Sequence, residues 1–291
     1  MIDEVFPRIV ITGAAGFVGE ALLRRLSACD LDIIGLYRSA PPHSVYPSNV
    51  RLEKVAAYED FVPPRSARLV HLAESRALSQ AESLDPVAHV SKVRSATCEL
   101  LAREWSHVVY ASSSAVYEDK SCRLHQIDDD VNPTQLYGKI KKTCEGLVTS
   151  CSGASLRFSN IFGPGMSSNN VLSDILSQIR SSGPLTVRNL STVRNFLWVE
   201  DAADALKLAV LNSASGIFNI GQAPAVSVRD LCQMALNLSG QNGRTLRENN
   251  QDAARSCLQM ELEVSQSKLK WEPQTSIEEG LIMLMRDRGL I

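Results

Sequence analysis

Short runs of aliphatic and β-branched residues recur along this chain, and most are followed by a stretch with the spacing of an amphipathic helix. The runs predict strands at residues 8–12, 32–36, 69–72, 108–111, 154–158 and 218–220. Helical spacing covers residues 20–26, 96–105, 171–181, 228–237 and 277–285. Because strands that alternate with helices form right-handed βαβ units, we expect an α/β fold with a doubly wound parallel sheet.

The alternation becomes irregular after residue 162, where Gly163, Pro164 and Gly165 interrupt it. We therefore expect a dinucleotide-binding domain over residues 1–162, with a return segment at about 199–221. Residues 163–198 and 222–291 are expected to form a smaller substrate-binding region. Before that break, Asn132 and Pro133 resemble a helix cap and a first-turn proline, which predicts a helix from there through Lys142 toward Val148.

A glycine-rich turn lies between the first strand and the first helix. Gly13, Gly16 and Gly19 have the spacing at which backbone can approach a pyrophosphate at a helix N-terminus. Glycines with this spacing also occur in ordinary turns, but the position between a strand and a helix favours a bound dinucleotide. The turn, including Phe17 and Val18, is the candidate cofactor site of a Rossmann-type fold.

The end of the second strand bears on the choice of cofactor. An acidic residue there would bind the ribose hydroxyls of NAD, but this chain has Tyr37 followed by Arg38. A guanidinium can pair with a 2′-phosphate, so the sequence favours NADP over NAD. In the alternative interpretation, Arg38 is a solvated loop residue and the site accepts either cofactor.

Tyr137 and Lys141 lie one turn apart on one face of a predicted helix. A free tyrosine has a pKa of about 10, so only about 0.1% of it is ionised at pH 7. A neighbouring ammonium favours the phenolate, and the pair can then exchange a proton with a sugar hydroxyl or a ketone during hydride transfer. The spacing also occurs by chance on exposed helices. Hydroxyls at the end of the preceding strand, Ser112 to Ser114, strengthen the interpretation.

Serines followed by a Val-Tyr pair, together with YxxxK, resemble the extended short-chain dehydrogenases, the nucleotide-sugar epimerase/dehydratase family. The resemblance implies that Ser113, Tyr137 and Lys141 are catalytic, and Ser112 and Ser114 are the alternatives for the hydroxyl. It places Leu72 and Ala73 beside the cofactor, and Ser114, Asn160 and Arg194 at the substrate, a nucleoside-diphosphate sugar. Asn195 replaces the usual aspartate after that arginine. The resemblance spans nearly the entire chain and implies a homodimer formed by the helices containing residues 97–105 and 137–148.

Composition excludes several other classes. The formal net charge of −2 provides no basic field for nucleic acid or anionic lipid. No apolar stretch has the length of a membrane span, and the first ten residues do not resemble a signal peptide, so we expect a cytoplasmic enzyme. Seven scattered cysteines without a CxxC pair favour reduced, mostly buried thiols and no metal site: Cys29, Cys98, Cys122, Cys144, Cys151, Cys232 and Cys257.

Departures from the family pattern narrow the predicted activity. Sugar 4,6-dehydratases have an Asp-Glu pair where this chain has Ser114 and Ala115, which argues against elimination. The favoured activity is reduction of a nucleotide-linked 4-keto sugar, and the alternative is 4-epimerisation with tightly bound NAD. Minor alternatives are an inactive cofactor-binding regulator and an aromatic-ketone reductase, and Arg194 disfavours the latter because it suits a diphosphate.

Overall fold

The computed structural model describes residues 7–73, 85–119, 121–249 and 256–291. Its strands are β1 (Arg8–Thr12), β2 (Asp32–Tyr37), β3 (Val50–Lys54), β4 (Arg68–His71), β5 (His107–Ser113), β6 (Leu124–His125), β7 (Ala154–Phe158), β8 (Asn160–Phe162), β9 (Leu185–Val187), β10 (Val193–Arg194), β11 (Phe196–Trp198), β12 (Gly216–Ile220), β13 (Val226–Ser227), β14 (Leu246–Glu248) and β15 (Cys257–Met260). Its α-helices are α1 (Phe17–Ser27), α2 (Pro86–Leu101), α3 (Leu136–Ser150), α4 (Val171–Ser177), α5 (Val199–Leu211), α6 (Val228–Leu238), α7 (Glu263–Leu269) and α8 (Ile277–Asp287).

Seven strands form one parallel sheet in the order β12-β7-β5-β4-β1-β2-β3. This arrangement confirms the predicted α/β fold with a Rossmann-type sheet. The edge strand β3 is missing from the predicted set, because its sequence VRLEK carries charged residues and its side chains are only partly buried. All seven carboxyl ends lie along the same edge of the sheet, where open α/β sheets bind their ligands.

Helices cover both faces of the sheet, and alternate residues of each strand bury against opposite layers. On β5, Val109 packs in the apolar cluster that contains α1 and α5, whereas Val108 and Tyr110 pack with α2 and α3. Ion pairs also join α1 to α5, with Arg24 2.7 Å from Glu200. The first helix is therefore buried against a helix almost 200 residues later in the chain.

A second apolar core lies beyond the central sheet. Phe162 and Trp198 pack edge to face, with ring centroids 5.4 Å apart, and share this core with apolar residues of α4, α6 and α8. Next to it, β13, β10, β15 and β6 form a four-stranded sheet. Helices α4, α6 and α8 thus share an apolar core of their own, whereas α5 and β12 pack into the core of the central sheet.

The predicted start of the third helix is wrong. Helix α3 begins at Leu136, not at Asn132 or Pro133, and Gln135 before it has the extended conformation of an N-cap residue. Pro133 is buried, and its Cβ lies only 2.6 Å from where a Cβ on Gly138 would stand. The proline therefore packs against the helix from outside instead of forming its first turn.

The expectation of reduced, mostly buried thiols is also wrong in part. A disulfide joins Cys122 to Cys257, 135 residues apart in the sequence. Parallel pairing of β15 with β6 brings the two cysteines together, which their spacing could not reveal. Of the free cysteines, Cys98 and Cys151 are exposed. Among the described helices, none is both long and apolar enough to cross a bilayer.

Candidate active site

The glycine turn between β1 and α1 brings backbone against backbone. Gly13 has a φ of +72°, a conformation that favours glycine. A Cβ added at Gly13 would lie only 3.1 Å from the Cα of Ala73. At Gly19 an added Cβ would lie 2.2 Å from the Gly13 carbonyl oxygen, so only glycine fits. Gly16 is the N-cap of α1 and has no side chain to occupy the helix terminus. The turn therefore leaves room for a pyrophosphate where the helix N–H groups converge.

Residues on either side of this turn follow the predicted arrangement. Phe17 and Val18 open α1 and pack partly into the core. On β4, His71 is buried and its Nδ1 lies 2.7 Å from the Thr12 hydroxyl, while Leu72 and Ala73 emerge half-exposed. The structure thus brings Leu72 and Ala73 to the glycine turn.

Arg38 stands at the end of β2, directly after Tyr37. Its guanidinium carbon lies 5.3 Å from the ring centroid of Tyr58, within the range of a cation–π contact. Tyr58 belongs to a 3-10 turn that follows β3, and sequence reasoning did not single it out. Arg38 is therefore an exposed residue whose guanidinium lies over a neighbouring ring.

The three serines at the end of β5 have different surroundings. Ser112 is buried and its hydroxyl donates to the Glu145 carboxylate at 2.5 Å. Ser113 ends the strand half-exposed, and its Oγ accepts from the Ala115 N–H at 3.2 Å. Ser114 begins a 3-10 turn and is 7% exposed. Because Ser112 is occupied by Glu145, the arrangement favours Ser113 among the candidate hydroxyls.

Tyr137 and Lys141 lie on one face of α3, as predicted from their spacing. The Lys141 ammonium is 5.5 Å from the Tyr137 ring centroid and 4.7 Å from that of Tyr110. Lys141 is only 3% exposed, and its ammonium donates a hydrogen bond to the Ala111 carbonyl at 2.7 Å. Lys141 is thus held between the helix and the strand that ends at Ser113.

Gly138 permits this close approach, and sequence reasoning missed it. A Cβ at this position would lie 2.3 Å from the carbonyl oxygen of Ala115, in the turn that follows Ser113. Any side chain at residue 138 would push α3 away from residues 112–115, which we call the serine segment. A glycine directly after the tyrosine of a YxxxK pair is the signal that could have found it.

Two charged residues beside the site were also missed. Glu145 and Arg157 form a buried bidentate ion pair, with Nε to Oε1 at 2.9 Å and Nη2 to Oε2 at 2.8 Å. Burial works against a charged guanidinium, but the hydrogen bonds and charge of Glu145 outweigh it and raise the pKa of Arg157. A lone glutamate and a lone arginine, twelve residues apart, carry no sequence signal for such a pair.

Asn160 and Arg194 are the predicted substrate residues that lie beyond the serines. Asn160 opens β8 just beyond the end of β7 and is half-exposed. Arg194 lies on β10, and its guanidinium pairs with Asp119 at 3.3 Å and bonds to the Ser256 hydroxyl. Asp119 follows the serine segment in the chain, so Arg194 is linked to that segment. Asn195 is buried, and its amide bonds to Gln222 O and Met260 N, which is a structural use of the asparagine. Among the described residues, no acidic, histidine or cysteine cluster is arranged to hold a metal ion.

A family model for the NAD dependent epimerase/dehydratase family matches residues 9–221. The chain belongs to this family. The match confirms the resemblance inferred from the sequence, and it identifies the chain as an NAD-dependent enzyme of this kind. The matched range includes the glycine turn, the three serines, Tyr137 and Lys141, Asn160 and Arg194.

Curated relatives are similar over most of the chain. A UDP-glucuronic acid decarboxylase of Arabidopsis thaliana is 26% identical over 96% of this chain and 68% of its own length. A dTDP-6-deoxy-L-talose 4-dehydrogenase (NAD(P)(+)) of Kitasatospora kifunensis is 24% identical over 94% of this chain and 93% of its own. Among solved structures, the UDP-glucose 4-epimerase of Thermotoga maritima with UDP-glucose superposes with a TM-score of 0.81 at 19% identity, covering 98% of this chain and 100% of its own. That likeness shows the fold.

Two glycines of α3 offer a matched test of the close approach. We expect Gly138→Ala to lower the free energy of unfolding by about 1–3 kcal/mol, since the new methyl group collides with the Ala115 carbonyl. In Gly146→Ala the new methyl group meets nothing within 4 Å, so the better helix propensity should stabilise the chain by about 0.5–1 kcal/mol. Urea unfolding measures both. Equal effects of the two substitutions would contradict the close packing of α3 on the serine segment.

Proposed function

We propose that this enzyme is an NADP-linked 4-ketoreductase of a nucleoside-diphosphate 4-keto sugar or 4-keto-6-deoxy sugar. The observation that carries the proposal is the end of β2, where Tyr37 and Arg38 replace an acidic residue and Arg38 stacks on Tyr58. A guanidinium without a competing carboxylate suits a 2′-phosphate. The 4-dehydrogenase similarity over almost the full length of both chains supports the same reaction class.

Each catalytic residue has a distinct role in this proposal. A reduced nicotinamide cofactor, held at the glycine turn of Gly13, Gly16 and Gly19, would supply the hydride for the carbonyl carbon. Tyr137 gives its phenolic proton to the carbonyl oxygen, and the Lys141 ammonium, 5.5 Å from the Tyr137 ring, stabilises the phenolate that remains. Ser113, at the end of β5, orients the carbonyl oxygen by a hydrogen bond.

The substrate-side residues fit a nucleoside diphosphate. Arg194 supplies a guanidinium that is 21% exposed and already oriented by Asp119. In the proposed complex it binds the diphosphate. Ser114 and Asn160, at the ends of adjacent strand segments, are proposed to contact the sugar.

Net consumption of NADPH separates this proposal from the 4-epimerase alternative, which uses the same three catalytic residues. With a 4-keto sugar nucleotide, we expect loss of NADPH absorbance in a one-to-one ratio with a reduced product. Tyr137→Phe should slow turnover at least about 100-fold, because the proton donor is removed. Retained NAD and hexose interconversion without net redox would select the epimerase. If the Tyr137→Phe variant kept the full biological activity of the wild type, the inactive cofactor-binding regulator would be favoured.

Arg38 is expected to decide the cofactor preference. Arg38→Ala removes a charge-assisted contact worth about 1.5–3 kcal/mol, so kcat/KM for NADPH should fall about 10- to 100-fold while that for NADH changes little. Arg51→Ala is the matched control, because Arg51 is an exposed arginine on the neighbouring strand β3. Initial rates with both cofactors measure the ratio. Equal losses with NADPH and NADH would argue against a 2′-phosphate site at Arg38.

We also propose that the enzyme is a homodimer formed through α2 and α3. Between these helices lies a groove of about 840 Å³ with an apolar rim that includes Val87, which is 80% exposed. Light scattering should give twice the chain mass of 31.8 kDa, and Val87→Glu should shift the population toward monomer. Val45→Glu, at a 99% exposed site outside the groove, is the control and should leave the mass unchanged. A monomeric wild-type chain would refute the proposal.

A further inference from the structure

A row of polar side chains crosses the central sheet on the face that packs against α2 and α3. Ser112 of β5, Arg157 of β7 and Asn219 of β12 are register partners on adjacent strands, and all three are buried. The neighbouring residues on this face, Val108 and Tyr110, are core residues. Charged and polar groups at this depth need a full set of partners.

The row is bonded from end to end. Glu145 of α3 accepts from Ser112 and from two nitrogens of Arg157. The third nitrogen, Nη1, donates to the Tyr117 hydroxyl at 2.7 Å, and that hydroxyl donates to Asn219 Oδ1 at 2.7 Å. Asn219 Nδ2 then donates to backbone carbonyls at 3.1 Å. Every nitrogen of the Arg157 guanidinium therefore has an acceptor.

This network joins the elements that carry the catalytic set. Ser112 immediately precedes Ser113, and Tyr117 directly follows the 3-10 turn after it. Glu145 lies four residues after Lys141 and eight after Tyr137, on the same face of α3. A buried ion pair contributes little net stability compared with apolar residues of the same volume, so stability alone does not account for it.

We propose that Glu145 and Arg157 are positioning residues, which fix α3 against the end of β5 and balance the charge around Lys141 and Tyr137. The inference rests on the catalytic roles given to these two residues in the proposed function. Bidentate geometry orients Glu145, and Ser112 transmits that orientation to the strand that ends at Ser113. The pair is buried, so it acts through its neighbours and does not touch the substrate.

The ionised fraction of Tyr137 reports on this charge balance, and a pair with a purely structural role would not change that fraction. Lys141 and Arg157 are cationic and Glu145 between them is anionic, and Tyr137 lies about 12 Å from Glu145 along the helix axis. The other ionisable groups that face the network are the same in every variant compared: Tyr110 beside Lys141, His71 stacked on Tyr110, and Tyr117 stacked on His125, which in turn contacts Asp129. Removing one charge of the pair should therefore change the ionised fraction of Tyr137 in a direction set by the sign of that charge.

The experiment measures the phenolate fraction of Tyr137 at one fixed alkaline pH in the whole chain, without substrate. Carbon NMR of tyrosine labelled at the ζ carbon resolves the ring, and Tyr137→Phe assigns its signal. Glu145→Gln should raise the ratio of phenolate to phenol, and Arg157→Met should lower it. Each change is expected to be about three- to tenfold, from a unit charge at this distance and an intermediate effective dielectric. The double variant should lie within about twofold of wild type.

Kinetics then test the positioning role. In the double variant Glu145→Gln/Arg157→Met both charges are gone, so a folded protein is expected even where a single variant unfolds. Its kcat should fall about tenfold while KM changes by less than about twofold, because the ends of α3 and β5 are no longer tied. Arg157→Lys keeps the positive charge but cannot form both hydrogen bonds to Glu145. It should therefore retain the phenolate-to-phenol ratio of Tyr137 and lose part of kcat.

Asp201→Asn is the matched control. Asp201 is a buried carboxylate at the start of α5, in the layer on the other face of the sheet, and it accepts from the backbone of residues 274 and 275. Its loss should lower the melting temperature without changing the phenolate ratio of Tyr137. Single variants that shift this ratio in the same direction, or a double variant with full kcat, would overturn the inference. Absence of NADPH turnover in the wild type would refute only the proposed function, because the NMR readout needs no turnover.

Discussion

Parallel pairing of seven strands is the constraint on which the remaining structure depends. Because every strand of the sheet runs the same way, each strand end projects its following residues toward one edge. The glycine turn follows β1, Arg38 follows β2, Leu72 follows β4 and the serines end β5. These residues are far apart in the sequence, and they reach a common edge without any direct contact between most of them.

Strands with uniformly buried side chains are the part of the fold that the sequence predicts best. The predicted bounds of β1 and β7 agree with the structure, because RIVIT and ASLRF form interior strands whose side chains are almost all buried. Strand β3 escapes prediction because an edge strand needs only a partly apolar pattern. The disulfide and the Glu145–Arg157 ion pair could not be predicted for another reason. Each joins residues that only the tertiary fold brings together, so no local sequence pattern indicates them.

The candidate site divides in the same way. Tyr137 and Lys141 are predictable because a helical period relates them, and the glycine turn is predictable because steric exclusion allows only glycine at Gly19. The surroundings of these residues are not. Three residues near the site can be recognised only from their tertiary contacts. Gly138 packs against the Ala115 carbonyl, Tyr58 lies under the Arg38 guanidinium, and Asp119 pairs with Arg194. Sequence motifs thus identify the candidate reacting groups, whereas the residues that contact and orient them depend on tertiary packing.

The packing of α1 on α5 has a consequence for how the chain is made. Residues 17–27 leave the ribosome before α5, the helix that packs on their apolar face. That helix, with Glu200 and Asp204 as ionic partners, follows only at residues 199–211. Strand β12, the last of the central sheet, comes later still. Vectorial synthesis therefore leaves the apolar face of α1 without this partner until residues 199–211 have been made. A nascent chain that ends before residue 211 therefore exposes apolar surface of the kind that promotes aggregation during folding.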